Sequence, residues 1–343
     1  MLRKASRASK GQRLGYRKLN SAVILRLNQS DPEALASTAA QLKELSSVDV
    51  LVVSHEFLAR QFVAVRNICD IGEALGFKSI QIIGYTRRQD QWHRSSFNQW
   101  SFRNINQLRR GKHRLKVLQC DWRLFSGYER WLIACLIDQE GPDWNAHYNK
   151  HKAAIEHKAL PIVIHSSPVP SSREPAALLH HFNQICELGI GESFIETCTP
   201  IENSSFSEYI TESIADSILE SNSDQYPITP HSNNALLRAL SADLPKRIPA
   251  LNQTFIDQLQ RQYLDLFKQG NQEYCQQFNL SYLNNFGTSE KLSSLSRAAI
   301  KAMIQDENRR RLCTSGTIAA NKAEIHARCI KVMLNQLQKI STK

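Results

Sequence analysis

A chain of 343 residues, 42% of them hydrophobic, can bury one large core or two moderate ones, and with 13 glycines, 11 prolines and no internal repeat it is neither fibrous, low-complexity nor a solenoid. The formal charge of +11 suits polyanionic partners: nucleotides, nucleic acid, acidic glycans or an anionic membrane surface. The eight cysteines are scattered without a C-x-x-C pair, which argues against a zinc site or redox motif and for reduced thiols in a cytoplasmic protein, and no stretch reaches the ~18 apolar residues of a membrane span.

Residues 1–30 read as a basic arm. Arg3, Lys4, Arg7, Lys10, Arg13, Arg17 and Lys18 precede the first acid, Asp31, and the apolar run from Ala22 is interrupted at Arg26, too soon for a signal peptide. Seven like charges without a sustained apolar pattern bury too little surface to offset ordering entropy, so Met1 to Asn20 is expected to be poorly ordered. "DPEALASTAAQLKELS" then predicts a helix, with Asp31 as N-cap, Pro32 at the first helical position and Glu33 in the first turn. "VDVLVVS", Val48 to Ser54, is a β-branched run too short for a helix and reads as a buried strand. The apolar face of "HEFLARQFVAVRNICDIGEALGF" predicts a helix ended by Gly76; "SIQIIGYT", Ser79 to Thr86, is a second strand, and Arg88 to about Leu108 the next helix.

Strand, crossover helix, strand predicts a right-handed unit with the two strands parallel. Further on, "CDWRLFSGYERWLIACLIDQEG" has helical spacing, Ala159 to Ser167 is a third strand, and Arg173 to Leu188 a helix closed by Gly189. From Phe206 the pattern is helical almost throughout. The expected fold class is α/β, a parallel sheet with flanking helices over residues 31–200 followed by a mostly helical part over residues 201–343.

In parallel sheets ligands sit beyond the carboxyl ends of the strands, which here carry Ser54-His55-Glu56 and Thr86-Arg87-Arg88. An arginine at a strand tip and a hydroxyl two turns into the next helix, Arg87 and Ser95, can converge on one phosphate, since the guanidinium offers a planar fork of donors and the helix start adds backbone N–H groups. Glu56 or His55 could take the proton of an acceptor hydroxyl; equally, Glu56 could cap the following helix and His55 be a surface residue. Both roles stay open at this point.

Those residues carry a resemblance. "YTRRQDQWHRSSFNQW" resembles the signature of bacterial sulfotransferase-like proteins, and "LVVSHEFL" is similar to that family's strand ending in Ser-Ser-Glu, with His55 where a second Ser is common. The resemblance implies a P-loop/sulfotransferase-like fold and 3′-phosphoadenosine 5′-phosphosulfate as co-substrate. It also implies a 3′-phosphate held by Arg87 and Ser95, Glu56 favoured as base with His55 second, no metal, and a sugar or other hydroxyl as acceptor. It is strong across Val48 to Trp100, and weaker to about Phe286. The family's apolar strand and Lys-x-Gly-Thr-[ST] loop for the 5′-phosphosulfate have no counterpart here, "SKGQRLG" lacking both. The expectation is therefore an inactive relative, or a chain that starts after that loop.

Two other classes remain in view. A nucleic-acid-binding protein would suit the charge, although no RRM, KH, helix-turn-helix or zinc-finger signature accompanies it. A nucleotide-sugar glycosyltransferase would suit the scaffold, without an Asp-x-Asp motif in support.

Overall fold

The computed structural model describes residues 13–169, 176–192, 195, 206–221, 234–249, 252–280 and 295–341. In chain order, β1 (Leu14–Lys18), α1 (Ser21–Asn28), α2 (Pro32–Lys43), β2 (Val50–Ser54), α3 (Phe62–Ala74), β3 (Ile80–Thr86), α4 (Gln89–Gln99), α5 (Ile105–Val117), α6 (Gly127–Asp138), α7 (Trp144–Ile155), β4 (Ile162–Pro168) and α8 (Ala177–Ile185) make up the first part. Then follow α9 (Glu208–Glu220), α10 (Asn234–Ala242), α11 (Gln253–Asp265), α12 (Lys268–Phe278), α13 (Arg297–Leu312) and α14 (Ser315–Ser341). The protein is mostly helical, with two small parallel sheets.

Two compact units share the chain: one takes Met1–Arg87, Asp143–Glu202 and Gln269–Asn284, the other Arg88–Pro142, Asn203–Lys268 and Asn285–Lys343. The expected division into residues 1–30, 31–200 and 201–343 is different, because α4, α5 and α6 fold with the later helices rather than with the strands before them.

The first unit holds all four strands. β2 and β3 do not pair with each other, as a simple crossover predicts: β1 pairs with β2, Leu14 opposite Val50 through Lys18 opposite Ser54, and β3 pairs with β4, Ile80 opposite Ile162 through Thr86 opposite Pro168. Both pairs are parallel. Strand β1 sits inside the expected basic arm. It has a partner on one side only, and an edge position tolerates Arg17 and Lys18. Gly15 contributes by its small size, because a Cβ there would lie 3.1 Å from a Val48 methyl. The rest of the arm that is described becomes α1, whose start Asn20 caps through Val23 N–H at 2.8 Å. Ile24 and Leu27, both 0% exposed, pack with Leu19, Ala34 and Ala64, so the apolar run "AVILRL" is a helical stretch with one face buried, Leu25 being exposed on the other. Met1 to Gln12 lie outside the described residues.

Helix α2 forms as its caps predict, Asp31 accepting from Glu33 and Ala34 N–H at 3.0 Å. The stretch before α3 is a short 3-10 helix, Glu56–Arg60, and Gly76 closes the segment at φ +86°, the left-handed conformation that favours glycine. One face of α3 and Ile155 of α7 bury the isoleucines of β3 and β4. The third strand expected at Ala159 to Ser167 is β4; α8 covers the middle of the helix expected from Arg173, residues 170–175 being outside the described set.

The second unit is helical, around one core that α6 crosses: every residue from Gly127 to Ile137 is buried. The helix expected from Arg88 to Leu108 breaks at Trp100, because Asn104 accepts from Gln107 N–H at 3.2 Å and starts α5 afresh. Helices α5 and α6 approach closely at Gly111, where a Cβ would lie 2.9 Å from the carbonyl oxygen of Arg130.

Candidate functional site

In the first unit the carboxyl ends of the strands carry a set of polar side chains. β1 leads through buried Leu19 and the cap Asn20 into Ser21, and β2 leads through Ser54 into His55. Parallel register puts Lys18 opposite Ser54, so the residues just beyond the two strands meet, Ser21 Oγ lying 3.3 Å from His55 Nε2; within the strands Tyr16 Oη lies 3.1 Å from Ser54 Oγ. With the ring proton on Nδ1, His55 Nε2 accepts from Ser21, which places an imidazole at the end of β2. Such a group can take a proton from an incoming hydroxyl. Glu56 opens the 3-10 helix after His55, and its side chain lies outside the described residues.

The ends of β3 and β4 are built differently. Thr86 is buried, with Oγ1 3.5 Å from the Ser167 carbonyl, and Ser166 Oγ lies 2.5 Å from Tyr274 Oη. Burial raises the Tyr274 phenol above its usual range, against the hydrogen bonds of Ser166 and Thr86. Arg87 follows directly and is exposed. Its carbonyl accepts from Trp144 Nε1 at 2.9 Å, which fixes the backbone that carries the guanidinium. Asp143 caps α7 at Ala146 N–H and so orients Trp144. Behind the strand, Tyr85 Oη is 3.0 Å from His181 Nδ1; burial, then Cys186, pushes the Tyr85 phenol up to about 12.

The division between units falls between Arg87 and Arg88. Ser95 therefore belongs to the second unit, half-buried on α4. Around it, Arg88 pairs with Asp90 through two hydrogen bonds of 2.7 and 2.8 Å, and Arg94 pairs with Glu208 through two of 2.8 and 3.0 Å. Trp92 packs against the core, and Asn98 Oδ1 accepts from Thr211 Oγ1. These contacts fix the helix that the signature "RRQDQWHRSSFNQW" encodes.

Ionic groups of the second unit are structural. Arg311 donates to Glu129 at 2.7 and 2.9 Å, to Glu307 at 2.8 Å and to the Leu124 carbonyl at 2.8 Å, while wholly buried Arg130 bonds Asp216 at 2.5 Å. Burial alone would raise the carboxyls of Glu129 and Asp216, but their cations outweigh it and hold both below the ordinary range. Glu212 takes the backbone N–H groups of Gly127 and Tyr128 at the start of α6. Burial, then Asp216, moves it up to about 7.

Ser21 and Tyr16 went unread in the sequence because they lie in the basic arm, more than thirty positions from their partners. Glu129 had a signal: Ser126 and Glu129 are spaced as a capping box, and both of its bonds form. Among the described residues no three His, Cys, Asp or Glu side chains gather as a metal site, and the seven described cysteines form no disulfide. No described helix is long and apolar enough to cross a membrane. Compared with known protein families, curated proteins and solved structures, the chain matches none.

Proposed function

We propose that this chain is a sulfotransferase-like nucleotide-binding protein whose first unit presents the remains of a P-loop-like parallel sheet. In this reading Arg87 binds the 3′-phosphate of 3′-phosphoadenosine 5′-phosphosulfate, and a sugar hydroxyl is the acceptor. Its main support is Arg87 itself: an exposed guanidinium immediately beyond parallel strand β3, on backbone clamped by Trp144. A cation so placed offers a phosphate two charge-assisted hydrogen bonds. Ser95, which belongs to the second unit, enters this reading through the resemblance alone.

In the transfer, the acceptor oxygen forms a bond to sulfur as the bond from sulfur to the 5′-phosphate oxygen breaks, and adenosine 3′,5′-bisphosphate leaves. The acceptor proton goes to the group beyond β2. Glu56 is favoured there by the resemblance, and His55 by its hydrogen bond to Ser21. Catalysis of such a transfer rests on cations facing the transferring group. Without the Lys-x-Gly-Thr-[ST] loop, binding is expected to outlast turnover.

Calorimetry with adenosine 3′,5′-bisphosphate tests the reading. Saturable binding is expected, weakened by one to two decades in Arg87→Ala and by less in Ser95→Ala, since a charged hydrogen bond contributes ~1.5–3 kcal/mol. Absence of binding, or equal binding by Arg87→Ala, overturns it.

One observation favours polyanion binding as a second reading. On α5, Arg110 and Arg114 pair with Asp138, whereas Lys112 stands 4.5 Å over the Trp122 ring with Arg123 5.2 Å from the same ring. Burial, then Lys116, Arg123, Arg109 and Arg130, lowers the Lys112 ammonium. Oligonucleotide binding lost in a Lys112→Ala, Lys116→Ala double variant would favour that reading.

A further inference from the structure

Two serine side chains meet a histidine ring, Ser21 Oγ at 3.3 Å from His55 Nε2 in the first unit and Ser213 Oγ at 3.1 Å from His326 Nδ1 in the second. They differ in the backbone around the hydroxyl. Ser213 lies inside α9, where the neighbouring N–H groups are committed to carbonyls one turn earlier. Ser21 is the first residue of α1 and follows closely on β1, so it stands at a strand-to-helix turn on the carboxyl side of a parallel ladder. The first N–H groups of a helix have no carbonyl one turn earlier to bond. Asn20 takes that of Val23 with its side chain at 2.8 Å and that of Ile24 with its carbonyl at 3.1 Å. The N–H groups of Ser21 and Ala22 come before these, on the serine itself and on the residue after it. Where a serine nucleophile sits between a strand and a helix, the N–H of the next residue serves the oxygen that gains charge.

A nucleophile and its base must be held in register, and both partners here are fixed from behind. Ile24 and Leu27 bury α1 against Leu19, Ala34 and Ala64. At the far end of α1, Asn28 Oδ1 accepts from Val63 and Ala64 N–H at 3.2 and 3.3 Å, and Asn67 Nδ2 donates to the Leu27 carbonyl at 2.8 Å. Those bonds tie α1 to α3, which follows the 3-10 helix after His55. His55 in turn follows β2, paired with β1 from Leu14 opposite Val50 to Lys18 opposite Ser54. The contact of Ser21 with His55 thus closes a ring made by β1, α1, α3 and β2. Both side chains are partly exposed, so a substrate can reach them.

We propose that Ser21 is a nucleophile activated by His55, and that this strand-end site hydrolyses carboxylic esters. Ser21 Oγ bonds the ester carbonyl carbon while His55 Nε2 takes the hydroxyl proton. The bond from that carbon to the alcohol oxygen then breaks, and the alcohol leaves with the proton from His55. Water attacks the acyl-serine in the same way, its proton passing through His55 back to Ser21 as the carboxylic acid departs. The residues flanking Ser21 are Asn20 and Ala22 where a G-x-S-x-G turn is built around a sharp strained elbow, so the turn here is the ordinary start of a capped helix. His55 does what it would do in sulfuryl transfer, accepting a hydroxyl proton. Here the hydroxyl belongs to the chain itself, and no nucleotide takes part.

The test is labelling of the full chain with a biotinylated ethyl fluorophosphonate, in which a bond from Ser21 Oγ to phosphorus forms as the phosphorus–fluorine bond breaks. Peptide mass spectrometry of the wild type is expected to place the label on Ser21, a readout that depends on no variant. Ser21→Ala is expected to take none there and to lose the stoichiometric burst of p-nitrophenolate that the wild type releases from p-nitrophenyl acetate. His55→Ala, with unchanged circular dichroism, is expected to label at least ~10²-fold more slowly, the lower end of what a general base contributes. Ser213→Ala is expected to label as the wild type does. A wild type without label on Ser21 overturns the proposal, as does a folded His55→Ala chain that labels at the wild-type rate. A chain that binds adenosine 3′,5′-bisphosphate in calorimetry yet takes no label keeps the nucleotide reading and loses this one.

Discussion

His93 is a buried, acid-sensitive residue of the second unit. Its ring is 0% exposed, stacked 3.7 Å from Trp131 and edge-on to Tyr128 and Tyr263, and neither ring nitrogen has a hydrogen-bond partner. Burial, then the Arg110 charge, lowers its pKa from 6.5 to about 3. The unfolded chain therefore binds a proton near pH 6.5 that the folded chain refuses until about pH 3. The contribution is fully present above 6.5 and is lost as pH falls, at up to ~1.4 kcal/mol per pH unit. His93→Phe keeps the stacking surface and removes the titration. It is expected to gain about 2 kcal/mol on wild type at pH 5 relative to pH 8, measured by urea unfolding at both values. Equal pH dependence in the two proteins would show that His93 is not the sensitive group. At this scale sequence reading reached what local spacing determines, such as the Asp31 cap and the strand-end position of Arg87. It did not reach the Ser21–His55 contact, which parallel pairing creates across 34 positions.

Helices and strands were legible where their residues satisfy local and tertiary demands together. Helix α2 and strands β2, β3 and β4 lie within a few residues of where caps and β-branched runs put them. β1 was not legible, because "LGYRK" reads as charged chain until Val50–Ser54 supplies its ladder. Two helical glycines show the same tension between local preference and packing. In an exposed helix interior alanine is favoured over glycine by ~1 kcal/mol. At Gly72 of α3 a Cβ meets only the Ile80 Cδ1, at an ordinary 3.5 Å, so Gly72→Ala is expected to stabilise by up to ~1 kcal/mol. At Gly111 of α5 the Cβ meets Arg130 O at 2.9 Å and its carbonyl carbon at 3.0 Å, atoms of a helix backbone that cannot rotate away. Overpacking of that kind costs ~1–3 kcal/mol, more than the propensity returns, so Gly111→Ala is expected to destabilise. Denaturant midpoints of the two variants moving in the same direction would contradict the close approach of α5 and α6.

The whole molecule is interleaved in a way that no local pattern announces. Composition shifts after residue 200 from strands to helices, which suggests a boundary there; yet Phe97, Leu115 and Trp131 lie in one core with Ile218, Leu259 and Ile304. Strand-to-helix alternation tells which elements exist and says nothing about which helices leave the sheet to pack elsewhere. The second unit should consequently depend on its last segment. A chain ending at residue 294 loses Ile300, Ile304 and Ile318, buried to 8%, 0% and 4%, and with them Arg311, which leaves the buried Glu129 without its guanidinium. Three buried isoleucines contribute ~1.5–3 kcal/mol each, and breaking a buried ion pair costs ~3–5 kcal/mol. That total of roughly 8–14 kcal/mol matches the whole stability of a typical domain, ~5–15 kcal/mol. The truncated chain is expected to lose the near-ultraviolet signal of Trp122 and Trp131 and the cooperative unfolding of this unit. Restoring Arg311 alone cannot recover it, since the three isoleucines account for more of the loss than the ion pair. A truncated chain that unfolds cooperatively with its tryptophan signal intact would mean that Arg88–Pro142 and Asn203–Lys268 make a sufficient core by themselves.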